Sequence, residues 1–164
     1  MDEELREKLD NGFGYEVDKI IEIVSSGSLV LDFGRVAFFT HMRVMHEFFY
    51  KKDARDFHIK DFLPEWDKKV TPEVNKWYEN MCVYCSHLGK DRWGGEPCFS
   101  ITKEFYEHYR NLIIEFLDGL ESDIPPKLEK IREEIKKLDW TAEENMRIGI
   151  LMAGRLTIQL IFPE

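Results

Sequence analysis

The residues from which chemistry would be built are His41, Arg43 and Glu47, then Lys76, Asn80, His87 and Arg92. Lys76, Asn80, Val83 and His87 are spaced by four, three and four, so on a helix they stack along one line. An imidazole can take or give a proton near neutral pH, and an arginine holds phosphate or carboxylate with a fixed fork of donors. The pattern points to acid–base or anion-binding chemistry in a polar pocket between two helices. His41, Arg43, Asn80 and His87 form the candidate pocket, with Lys76, Arg92 and Glu47 beside it.

The element that must position the first group is the proline-free stretch from Ser28 to Lys51. Wound at about 100° per residue, it gathers Phe38, His41, Met42, Met45, Phe48 and Phe49 on one arc. Arg35, Phe39, Thr40, Arg43, His46, Glu47 and Tyr50 fall on the other. Both sides carry aromatics, so the helix is expected to be central and packed nearly all round. An unpaired charge there costs on the order of several kcal/mol, so its polar groups need partners. His41 is expected to meet His87 in a shared crevice. Arg43 and Glu47, one turn apart, also suit a simple ion pair. His46 and Tyr50 read as a packing border, and His58 and His108 as solvated surface.

Other elements follow from caps and periodicity. Glu3–Asn11 reads as a short charged helix stopped by Gly12 and Gly14, and Tyr15–Ser25 as a second helix. Residues 51–70 form a long charged connection anchored by Phe57, Phe62 and Trp66. Thr71-Pro72 starts a helix to Leu88, with Thr71 as cap and proline at the first helical position. Ser100 opens an amphipathic helix to about Leu120, and Lys127–Leu138 carries a narrow apolar seam. Thr141 with Glu144 is a capping-box signal. Residues 147–162 fit a helix or a small β-hairpin equally well. The expected fold is one all-α domain, a bundle of five to six helices with its core in residues 15–120 and an apolar C-terminal appendage over 123–164.

The totals exclude several classes. A chain of 164 residues with 43% hydrophobic residues builds a real core, and 34% charge with a mean hydropathy of −0.41 marks it as soluble. A net charge of −9 opposes non-specific attraction to nucleic acid or anionic membranes. The acidic start resembles no secretory leader, and no apolar run is long enough to span a bilayer, so a cytoplasmic protein without membrane contact is expected. Three cysteines make no disulfide framework. Cys82, Cys85, His87 and Cys98 suggest zinc, but on one helix His87 points roughly 140–160° away from the two cysteines. Asp53, Asp56 and Asp61 lack a calcium-loop pattern. No metal or cofactor is expected, and there is no P-loop, dinucleotide fingerprint, nucleophile elbow or H-E-x-x-H.

The run AFFTHMRVMHEFF, followed some forty residues later by SHL after NMCVYC, resembles a group of small prokaryotic helical proteins similar to the HEPN superfamily. That resemblance, over roughly residues 28–120, implies a helical bundle from a toxin–antitoxin or defence system. It also implies a dimeric site in which histidine and arginine cut RNA without metal. The family's histidine falls on His87, its arginine on Asn80, and Met81 stands where a polar neighbour is usual. Loss of the arginine removes the main stabiliser of phosphate charge, unless Arg43 or Arg92 replaces it in space. The resemblance therefore implies a degenerate or inactive ribonuclease-like site with His87, Asn80 and Arg43 at its catalytic positions and His41, Lys76, Arg92 and Glu47 around its ligand, and with RNA and a second copy of the chain as partners. The alternatives are a non-enzymatic interaction module holding a protein partner, and a bundle that binds a nucleotide or small ligand between helices. Labelled RNA incubated with the protein is expected to stay essentially uncut. Rapid cleavage abolished by His87→Ala would instead make His87 a general acid or base.

Overall fold

The computed structural model describes residues 1–30, 32–51, 57–86 and 101–138. Asp2 accepts a hydrogen bond from the Leu5 amide at 2.8 Å and so caps α1, Glu3–Lys8. The helix does not stop at the glycines. It continues through a five-residue π turn, Leu9–Phe13, directly into α2, Gly14–Ser25. Packing overrides glycine's poor helical propensity here. A Cβ on Gly14 would lie 2.9 Å from Leu128 Cδ2, so the bare backbone lets a neighbouring helix come close. Gly27, with φ 68°, ends α2 in the left-handed region.

A short 3-10 turn, Ser28–Val30, leads to α3, Asp32–Tyr50, so Ser28 precedes the central helix by more than its cap position. Gly34 explains the turn's tightness: a Cβ there would fall 1.9 Å from the Ser28 carbonyl oxygen. Helix α4, Pro72–Ser86, begins as expected, the Val74 amide donating to Thr71 Oγ1 at 3.2 Å. Helix α5, Lys103–Gly119, starts slightly later than Ser100 because Thr102 is its cap, accepting from the Phe105 amide at 3.2 Å. Pro125 and Pro126 start α6, Pro126–Lys137.

The architecture is an all-α bundle in which α3 packs against α2, α4 and α5 while α6 lies across α2 and α5. Phe38, Phe39, Met42, Met45 and Phe49 of α3 are almost wholly buried, from both of its arcs. Phe105, Tyr109, Leu112, Ile113, Phe116 and Leu117 of α5 complete the core. Leu128, Ile131 and Ile135 are also buried, so α6 closes the bundle rather than belonging to an appendage. Arg110 fixes its end, the guanidinium donating to the carbonyls of Ile135 at 3.0 Å and Lys136 at 2.6 Å. The zinc pattern beyond Cys82 and the hairpin-or-helix question over 147–162 lie outside the described residues.

The two glycines that differ most in surroundings give opposite expectations. Gly34→Ala drives a methyl into backbone and is expected to cost at least about 1–3 kcal/mol in urea unfolding. Gly12 has nothing within 4 Å of a built Cβ. Gly12→Ala is expected to be neutral or to add up to about 1 kcal/mol.

Candidate functional site

A cleft of about 580 Å³ opens between the π turn, the start of α2, the C-terminal half of α3, Phe57 and Phe62, and Tyr78 of α4. Its apolar wall is built largely from Phe13, Phe48, Phe57 and Phe62. Phe13 and Phe48 have ring centroids 5.0 Å apart, and both contact Phe116 beneath, at 4.8 and 5.1 Å. Phe57 keeps 43% of its surface exposed at the edge. Gly12 lines the same opening and leaves it unfilled. The extra residue per turn of the π segment is what brings Leu9, Gly12 and Phe13 all to one wall, a use typical of such turns.

Four charged side chains face the cleft: Lys8, Glu16, Glu47 and Lys51. Each carboxylate is already engaged. Glu16 Oε2 lies 2.6 Å from His41 Nδ1, and Tyr15 packs its ring edge-on against that imidazole. Glu47 Oε1 accepts the Tyr78 hydroxyl at 2.8 Å and lies 3.8 Å from Arg43 Nε. Burial first, then hydrogen bonds to Cys82 and Glu47, hold the Tyr78 hydroxyl well above the usual phenol range. The Lys8 ammonium pairs with Glu4 and sits 4.9 Å from the Phe57 ring centroid. The Lys51 ammonium rests 3.5 Å from the Tyr78 centroid, a cation–π contact.

The structure thus redistributes the expected residues. Glu47 lines the cleft with Arg43 beside it, and His41 supports the cleft from behind by orienting Glu16. Lys76 is exposed on α4 and Asn80 half-buried there, and neither lines the cleft. His87 and Arg92 lie outside the described residues, and with them the expected meeting of His41 and His87. Lys8, Gly12, Glu16, Lys51 and Tyr78 were not foreseen. An isolated glycine inside a helical pattern was the one local signal for any of them.

Behind Tyr78 lies a second polar cluster. His46, expected at a border, is 1% exposed. Its ring stacks on Tyr78 at 4.4 Å, and Nδ1 shares a hydrogen bond with the Tyr109 hydroxyl at 2.8 Å. Burial, with smaller contributions from the charges of Lys51 and His108, lowers its pKa from 6.5 to about 4. The imidazole is therefore neutral and sealed from any external substrate. His58 and His108 are likewise not solvated surface. His58 is buried and caps the turn Ile59–Asp61, accepting from the Lys60 amide at 3.2 Å. His108 is half-buried, with Nε2 3.0 Å from the Tyr50 hydroxyl and the Trp77 ring edge-on at 5.6 Å. Burial and the charge of Lys68 lower its pKa. Tyr50 and His108 line a smaller cavity of about 270 Å³ with Lys68 and Lys69.

Among the described residues no three His, Cys, Asp or Glu side chains gather to hold a metal, and no helix is long and apolar enough to cross a membrane. No family model, curated protein or solved structure matches the chain.

His46 makes stability depend on pH with a definite sign. Below pH 6.5 the unfolded chain protonates this ring, whereas the folded chain resists until about 4. Stability is lost as pH falls through that window, by about 3 kcal/mol from this group. Urea titrations of the wild type and His46→Gln should show the wild type losing more stability between neutrality and about pH 4. Parallel pH profiles would remove His46 from the effect.

Proposed function

We propose that this chain is a helical bundle that binds a small organic molecule in the cleft between the π turn, α3 and Tyr78. The observation that carries the reading is an opening of about 580 Å³ in the side of the aromatic core. That is the size range of sites that enclose small ligands. Its composition fits as well, aromatic rings on one side and polar groups already held in place around them. Phe57 leaves apolar surface uncovered, and Gly12 keeps the entrance free of a side chain.

The arrangement supports binding more directly than catalysis. His46 is neutral and sealed, His41 is held by Glu16, and Glu47 by Tyr78 and Arg43. None of the described groups pairs an accessible nucleophile with a free base. The HEPN-like, ribonuclease-type reading depends on His87, outside the described residues, and no observation on the described ones favours it over ligand binding.

Filling the entrance tests the reading. Gly12→Trp places an indole at the opening, from a position where the Cβ itself meets nothing within 4 Å. In a thermal-shift panel of small aromatic molecules, at least one is expected to raise the wild-type melting temperature and to lose that effect in Gly12→Trp. No shift with any compound, or equal shifts in both proteins, counts against the cleft as a ligand site.

A further inference from the structure

We propose that the cleft takes an organic anion with a flat aromatic body, a carboxylate or sulfonate whose head group is held by Lys51. This inference rests on the ligand-binding reading of the cleft and specifies its ligand class. The body follows from the walls. Phe48 and Phe62 have centroids 6.1 Å apart in tilted contact, and Phe57 adds a ring 6.3 Å from Phe62. Phe57 is 43% exposed, so an aromatic guest would cover apolar surface that the chain leaves wet.

The head group follows from which polar groups have capacity left. Glu16 is committed to His41 at 2.6 Å, and Glu47 to the Tyr78 hydroxyl at 2.8 Å with Arg43 beside it. A cationic guest would have to compete with donors already in place. Lys8 has Glu4. Lys51 is the exception, because it has no carboxylate partner among the described residues and spends its charge on the face of Tyr78. An ammonium carries three donors, and a ring face satisfies them poorly compared with an anionic oxygen. The exposed stem of Lys51 lets the ammonium turn from the ring to a guest in the same cleft. The chain's net charge of −9 acts on the rate of encounter at long range, while the choice of head group is made by these contacts.

Calorimetric titration of the full chain with naphthalenesulfonate, neutral naphthalenesulfonamide and naphthylmethylammonium tests the class. The sulfonate is expected to bind most tightly. Lys51→Met should weaken it roughly ten- to a hundredfold while leaving the sulfonamide nearly unchanged. Gly12→Trp, with the smaller filler Gly12→Met as a second variant, should abolish both. If no probe binds the wild type, or if folded Gly12 variants bind as well as it does, the cleft itself is overturned. If the Gly12 variants block binding but the ammonium probe binds best, or Lys51→Met leaves the sulfonate unaffected, the anion class alone fails.

Discussion

Helix α3 packs against α2, α4 and α5, so several of its polar side chains give up much of their contact with solvent. A group that loses water there must be met by another polar group or lose its charge. His41 is met by Glu16 of α2, Glu47 by Tyr78 of α4, and His46 by Tyr109 of α5. Tyr50 meets His108 of α5 in the same way. These contacts, together with the close-packed aromatic core, fix the rotation of α3 about its own axis. The orientation they set determines which residues of α3 face the cleft.

Two histidines of α3 show how environment rather than residue type decides chemistry. His41 belongs to the apolar arc, yet lies where α2 offers a carboxylate and some solvent remains. His46 belongs to the mixed arc, yet receives only rings and a phenol, and burial drives it neutral. The sandwich of His46, Tyr78 and the Lys51 ammonium joins the sealed interior to the open cleft through one aromatic ring. Lys51 contributes to both, holding down proton affinity on the far side of the ring while offering a cation on the near side.

How much of this was legible in the sequence depended on distance along the chain. Thr71-Pro72, the amphipathic face of α5 and the seam of α6 were legible because caps and periodicity are local. The all-α class follows from the same signals. Gly12 and Gly14 misled because their propensity points to a stop, whereas the contact of Gly14 with Leu128 is tertiary. His58 and His108 sit among charged neighbours in sequence, and their burial depends on elements that composition does not place. The cleft was illegible for the same reason, its walls coming from five separate stretches. The pairing of Glu47 with Arg43 was legible because both lie on one helix, one turn apart. Glu16 and Lys51 were not, since nothing local distinguishes them from other surface charges.

The π turn is in effect a one-residue insertion within what would otherwise be a single uninterrupted rod from Glu3 to Ser25. Winding the same residues as a regular α-helix, with none removed, would swing everything upstream by about 100°. Lys8 and Leu9 would then leave the wall they now form, and the Met1 ammonium would be carried away from Asp123, 3.3 Å distant. The π turn thus takes up its extra residue within one widened coil, and the hollow owes its wall to how that residue is wound.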